Sequence, residues 1–153
     1  MNNGKIVVAL KGISKIGKTE TLKKLIKILL ELPSGNILYQ SSDKYKDAIL
    51  IIKIKGLIIG VITQGDPGTE LDKKLYEMKS FNCSLIFCAS RTRGDTISVV
   101  KDFSIKHNFG LIWTSTYYAE IKEIYYNIDG LNELKAEQLL KLGLSILNKR
   151  EIE

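Results

Sequence analysis

The chain has 153 residues, with 23 Lys and Arg against 17 Asp and Glu, and a formal net charge of +6. A chain of this length forms one ordinary domain and buries enough surface to fold without disulfides or a structural metal. Its two cysteines, Cys83 and Cys88, stand in one apolar run, which excludes a disulfide scaffold and fits a reducing compartment. We therefore expect a single cytoplasmic domain over residues 1–153.

The charge and hydropathy patterns limit the classes of partner. No segment reaches the roughly 18 uncharged apolar residues of a membrane span, and no secretory signal precedes the first strand, so we expect no membrane partner. The lysines are spread along the chain. A basic surplus suits a nucleotide or a nucleic acid, but a generally solvated basic surface is the favoured explanation, so support for a nucleic-acid partner is weak.

The first half of the chain begins with a buried strand at residues 5–10, rich in β-branched side chains. A glycine-containing loop follows, and then a helix whose leucines and isoleucines recur at the spacing of one buried face. Pro33 ends this helix, and residues 36–39 predict a second strand. Residues 48–63 predict two strands joined by a tight turn at Lys55-Gly56, and the second is apolar on both faces and therefore central.

The second half predicts helices at 68–80, 96–107 and 131–148 and strands at 83–89 and 109–113, with residues 116–128 ambiguous between strand and short helix. Strands that alternate with helices imply an α/β fold with helices on both faces of a mostly parallel sheet. Lys53 and Lys55 alternate with isoleucine, which indicates one wet face. We therefore expect that strand to be an antiparallel hairpin strand at or near a sheet edge.

Residues 12–19 read G-I-S-K-I-G-K-T and fit the pattern G-x-x-x-x-G-K-[ST], directly after a strand and at the start of a helix. Glycines at both ends let backbone amides turn inward onto phosphate oxygens. Lys18 is a candidate catalytic residue that would place its ammonium at the β- and γ-phosphates, and the hydroxyl of Thr19 would bind Mg²⁺. The start of the helix adds free amides and a favourable dipole to the anion site.

On this motif, residues 5–30 resemble the P-loop NTPase superfamily. The resemblance covers the first strand, the loop and the first helix, and it implies ATP or another nucleoside triphosphate, Mg²⁺ and a three-layer α/β fold. It leaves the reaction open. The nucleotide-binding residues that it implies are Gly12, Ile13, Ser14, Lys15, Ile16, Gly17, Lys18, Thr19 and Glu20.

Phosphoryl transfer needs a further group that holds or orients the metal. In P-loop proteins an acid at the end of an apolar strand does this, and Asp66 is the first acid after the central strand, although it stands a few residues late. Two interpretations stay open. In the first, Asp66 is a catalytic residue that binds the metal together with Thr19. In the second, Asp66 belongs to an Asp-Pro-Gly turn before the next helix.

Two of the three arginines, Arg91 and Arg93, follow the strand at 83–89. Ligands bind at the carboxyl ends of strands in open α/β sheets, and guanidinium groups hold phosphate bidentately, so we expect both to be catalytic residues that contact phosphate. A solvated loop is the alternative. Asp43 follows the second strand, where small P-loop kinases place an acid that contacts the acceptor, so it is the candidate substrate residue, with a surface turn as the alternative.

The motifs that would specify guanine are missing, because Asp66-Pro67-Gly68-Thr69 does not fit D-x-x-G and neither Asn-Lys-x-Asp nor Thr-Lys-x-Asp occurs. The leading hypothesis is an Mg²⁺-dependent phosphotransferase of the small-kinase type or an ATPase. One alternative is a nucleotide-binding module with little turnover that acts through a protein or nucleic-acid partner, and another is a nucleic-acid-associated ATPase. The sequence does not name the acceptor and leaves the oligomeric state open.

Overall fold

The computed structural model describes residues 4–12, 17–42, 48–64, 70–92, 94–116 and 128–147. Strands and helices alternate along the described chain, apart from one strand hairpin. The strands are β1 (Ile6–Lys11), β2 (Gly35–Ser42), β3 (Ala48–Ile54), β4 (Leu57–Ile62), β5 (Leu85–Ser90) and β6 (Gly110–Thr114). The helices are α1 (Lys18–Leu30), α2 (Leu71–Ser80), α3 (Asp95–His107) and α4 (Ile128–Ile146).

These elements confirm the predicted α/β class and the mostly parallel sheet. The six strands lie in the order β2-β3-β4-β5-β1-β6. β1 pairs in parallel with β5 and β6, and β4 pairs in parallel with β5. β3 runs antiparallel to both β2 and β4.

The reversed strand β3 lies one place in from the edge, because β2 covers its outer side. Three consecutive residues, Leu50, Ile51 and Ile52, are buried, so β3 contributes apolar side chains to both faces of the sheet. The wet face predicted from Lys53 and Lys55 is restricted to the turn end of the strand. The predicted hairpin turn is confirmed, since Lys55 and Gly56 both have positive φ, as two-residue hairpin turns of type I′ require.

The sheet separates two apolar cores. Alternate residues of β1, such as Val8 and Val7, point to opposite faces and enter different cores. Helices α1 and α4 cover one face, and α2 and α3 cover the other, which gives helix, sheet and helix layers. None of the helices in the described ranges is long and apolar enough to cross a membrane.

Candidate functional site

The carboxyl ends of β1 and β5 lie side by side at one end of the sheet, and we call the place just beyond them the crevice. The two strands are parallel neighbours, with Lys11 opposite Ser90, and the amide of Gly12 donates to the carbonyl oxygen of Ser90 at 3.1 Å. The chain then leaves β1 for α1 on one face and leaves β5 for α3 on the other. Diverging connections of this kind mark the place where open α/β sheets bind ligands.

Lys18, the first residue of α1, extends into this crevice. Its side chain is buried, with a relative exposure of 6 %, and Nζ donates to the carbonyl oxygens of Gly12 and of Ser90, the latter at 2.8 Å. Burying an ammonium is unfavourable unless polar atoms replace its water, and these carbonyl dipoles do so. The crevice therefore holds a fixed positive charge between two strand ends.

Gly17 is the N-cap residue of α1 and has a backbone conformation that favours glycine. Its φ is 90° and its ψ is 13°, in the left-handed region, and its carbonyl oxygen accepts from the amide of Thr21 at 2.9 Å. The first amides of a helix have no partner inside the helix, so α1 directs donors towards the crevice. Together with Lys18, this end of α1 is suited to an anion.

The two residues that follow Lys18 differ in exposure. Thr19 is half-buried in the first turn of α1, where a hydroxyl can face a metal held against phosphate. Glu20 is exposed, and its carboxylate lies 3.7 Å from Nζ of Lys23 on the same helix, a surface ion pair of little energetic weight. The nucleotide contact expected of Glu20 stays a prediction.

Arg91 directly follows the strand end that borders Lys18. It is half-buried, and its amide donates to the hydroxyl oxygen of Thr96 in the first turn of α3 at 3.1 Å. Because β5 pairs in parallel with β1, Arg91 lies at the same end of the sheet as the carboxyl end of β1. Arg93 lies outside the described residues.

Several predicted site residues fall outside the described ranges, namely Ile13, Ser14, Lys15, Ile16, Asp43 and Asp66. Their flanking strands are described. β4, which leads to Asp66, is separated from β1 by β5, a distance of roughly 10 Å at ordinary strand spacing. β2, which leads to Asp43, is four places from β1, or about 19 Å. These spacings apply to the strands, and the roles of both aspartates stay predictions.

Thr63, just after β4, has a structural role. Its hydroxyl oxygen accepts from the amide of Ala48 at 2.9 Å, and its own amide donates to the carbonyl oxygen of Ala48 at 3.1 Å. This pair of hydrogen bonds joins the start of β3 to the end of β4. Across the described ranges, no group of three or more His, Cys, Asp and Glu side chains is placed to hold a metal.

Helix α4 contributes two buried polar residues that were not among the predicted site residues. Asn132, 6 % exposed, accepts at Oδ1 from the hydroxyl of Thr21 at 3.3 Å. Lys135, 7 % exposed, donates from Nζ to the hydroxyl oxygen of Thr114 at 2.9 Å, and burial lowers the pKa of its ammonium. Both lie on the buried face of α4 that also includes Ala136 and Leu139. Polar residues at these otherwise apolar positions were the sequence feature that could have identified them.

Comparisons with known proteins give no assignment for this arrangement. No protein-family model matches the chain, and no curated protein or solved structure matches it.

Proposed function

We propose that this chain is an Mg²⁺-dependent ATP-binding protein of the P-loop NTPase type, acting as a phosphotransferase of the small-kinase type or as an ATPase. The observation that carries the proposal is the position of Lys18. Its buried ammonium donates hydrogen bonds to the carbonyl oxygens of Gly12 and Ser90, at the crevice between two parallel strand ends. A triphosphate entering this crevice would offer the ammonium stronger, charged acceptors than neutral carbonyls.

The residues at the crevice fit a nucleoside triphosphate. Gly17 adopts the positive φ that lets a loop turn its amides inward, and the N-terminus of α1 supplies further donors. The hydroxyl of Thr19 and the carboxylate of Asp66 would hold Mg²⁺, which neutralises charge on the β- and γ-phosphates when bound. Arg91 would add a fixed cation, and Arg93 a second, at the transferred phosphoryl group.

The second candidate function is a nucleotide-binding module with little turnover that acts through a partner. It is favoured by the separation of β4 from β1, because Asp66 must reach over the end of β5 to share a metal with Thr19. If it does not reach, the site keeps its phosphate donors but lacks an acid at the metal. Such a site would bind ATP and release ADP slowly.

The test is a set of binding and turnover assays on the purified chain. Calorimetry with ATP, in Mg²⁺ and in chelator, measures binding and its metal dependence, and GTP serves as the base control. ADP release is then followed alone, with small hydroxyl and phosphate acceptors, and with DNA or RNA. Stimulation by a small acceptor identifies a phosphotransferase, unstimulated release an ATPase, and binding without release the module. Absence of ATP binding at millimolar concentration would contradict all three.

A further inference from the structure

Thr96 has a buried hydroxyl that is hydrogen-bonded to the backbone of Arg91. It lies in the first turn of α3 with a relative exposure of 3 %. Its Oγ1 accepts from the amide of Arg91 at 3.1 Å, and it shares a hydrogen bond with the hydroxyl of Ser90 at an oxygen separation of 3.2 Å. The residue therefore contacts both the last residue of β5 and the first residue after it.

Ser90 links this hydroxyl pair to the candidate phosphate crevice. Its carbonyl oxygen accepts from Nζ of Lys18 at 2.8 Å and from the amide of Gly12 at 3.1 Å. Its side-chain hydroxyl donates to the carbonyl oxygen of Arg91 at 3.1 Å. The same residue thus forms one wall of the crevice and part of the network around Arg91.

The network holds both main-chain polar groups of Arg91. The Arg91 amide donates to the Thr96 hydroxyl, and the Ser90 hydroxyl donates to the Arg91 carbonyl oxygen. The peptide planes on either side of Arg91 are therefore fixed. The direction in which a side chain leaves the backbone follows from those planes. Gly94 completes the short return to α3 with a φ of 100°, in the region that favours glycine.

We infer that Thr96 is a positioning residue, whose hydroxyl orients Arg91 so that the guanidinium meets the γ-phosphate of ATP bound at Lys18. This inference rests on the proposed function. Loss of the hydroxyl would release the Arg91 amide while leaving Lys18 and Gly17 in place. Nucleotide binding would therefore persist, and the approach of the guanidinium would be lost.

A threonine in the first turn of a helix can also act only on stability, and the choice of variants separates the two roles. Thr96→Val keeps the shape and removes the hydroxyl, whereas Thr96→Ser keeps the hydroxyl. Ser104→Ala is the matched control, because Ser104 lies on the same buried face of α3 and its hydroxyl makes no hydrogen bond among the described residues. Each variant is first checked for cooperative unfolding.

The first measurement uses the scarcity of arginine in this chain. The only guanidinium groups are those of Arg91, Arg93 and Arg150, so the arginine Nε–H region of a ¹⁵N spectrum contains three signals, assigned with Arg→Lys variants. Saturating ATP·Mg²⁺ should shift the Arg91 signal in the parent, in Thr96→Ser and in Ser104→Ala. In Thr96→Val we expect ATP affinity within about threefold of the parent but less than about half of the Arg91 shift, since only the guanidinium is misplaced.

The second measurement is kinetic. In a parent that turns over ATP, Thr96→Val should lower kcat by about tenfold or more with KM within about threefold. The Thr96→Val, Arg91→Ala double variant should be no slower than Arg91→Ala alone, because both changes remove one interaction.

The possible results distinguish failure of this inference from failure of the proposed function. An Arg91 signal that moves equally in the parent and Thr96→Val, or that does not move in a parent that binds ATP, overturns the positioning role and leaves ATP binding intact. A parent that does not bind ATP·Mg²⁺ overturns the proposed function and this inference together.

Discussion

Oδ1 of Asn132 occupies the space that a side chain on Gly17 would need: a β-carbon built on Gly17 would lie 2.7 Å from it. The same oxygen accepts from the hydroxyl of Thr21 at 3.3 Å, so Asn132 joins α4 to the first turn of α1. Glycine is thus favoured at residue 17 both by its positive φ and by the proximity of the Asn132 side chain.

The first prediction follows from this contact. Gly17→Ala should lower the free energy of unfolding more than Gly56→Ala, which has a similar φ of +84° but no atom within 4 Å of the added carbon. The left-handed conformation costs about 1–2 kcal/mol in both variants. The contact with Asn132 should add a further ~1–3 kcal/mol at Gly17 alone, measured by urea unfolding.

A double variant tests the cause of that difference. Asn132→Ala removes the amide that the added carbon meets, so Gly17→Ala should be less damaging in that background than in the parent. Equal losses for Gly17→Ala and Gly56→Ala, or no coupling with Asn132, would show that the close approach has no energetic effect.

The local elements near the site were predictable from the sequence, and its assembly was not. β1, the glycine at residue 17 and the apolar face of α1 follow from short-range patterns. Ser90 lies beside Lys18 only because β5 pairs with β1, across 72 residues of chain. Asn132 is 111 residues from Thr21. Pairing at such separations depends on the packing of the whole sheet, which periodicity does not encode.

For β3, the sequence pattern predicted the strand but not the burial of its side chains. Alternating lysine and isoleucine correctly indicated a hairpin strand, but the exposed side chains are confined to its turn end. Leu50 and Ile51 are buried on opposite faces because each joins a different apolar core, one under α1 and α4 and the other under α2 and α3. The alternation within β3 does not report this helical cover, which comes from distant parts of the chain.

The second prediction concerns a buried hydroxyl without a partner. Ser104 lies on the buried face of α3, and its Oγ makes no hydrogen bond among the described residues. Ser104→Ala removes an unsatisfied polar atom and adds a better helix former, so it should raise the free energy of unfolding by about 1 kcal/mol. Ser80→Ala is the control, because the Ser80 hydroxyl is exposed and donates to the carbonyl oxygen of Glu77. A loss of stability in Ser104→Ala would contradict the assignment.

The third prediction concerns thiol reactivity and alkaline pH. Burial raises the pKa of Cys83 and of Cys88 to about 12, from an ordinary value of 9.0. The thiolate is the reactive form, so neither thiol should react with a disulfide reagent at about pH 8 until the chain unfolds, when both should react. Fast labelling of the native chain would contradict the burial.

The same shift predicts a pH dependence of stability. Above pH 9.0 the unfolded chain releases thiol protons that the folded chain retains, so the contribution is complete below that pH and is lost as pH rises towards about 12. Each thiol should contribute a slope of at most about 1.4 kcal/mol per pH unit in this window. Cys88→Ala should therefore show a shallower alkaline loss than the parent, measured by urea unfolding at successive pH values.

The fourth prediction concerns the guanidinium after β5. If Arg91 meets phosphate chiefly in the transition state, Arg91→Ala should lower kcat more than it raises KM, by ~10³-fold or more in rate. Arg91→Lys should recover little of this, because a point charge does not reproduce the bidentate fork. Arg93→Ala is measured in parallel. Rates within about twofold of the parent for Arg91→Ala would show that Arg91 lies in a solvated loop and has no catalytic role.

The most direct test of ATP binding at the β1–β5 crevice is a calorimetric titration of the parent, Lys18→Ala and Lys27→Ala with ATP·Mg²⁺. Lys27 is an exposed lysine in the last turn of the same helix, so its variant carries the same charge change away from the crevice. Lys18→Met, which keeps an apolar stem in the buried position, is measured beside them to separate binding from folding. We predict that both Lys18 variants weaken binding by on the order of 2–3 kcal/mol while Lys27→Ala stays near the parent. Equal ATP affinity for the parent and a folded Lys18 variant would contradict the proposed site.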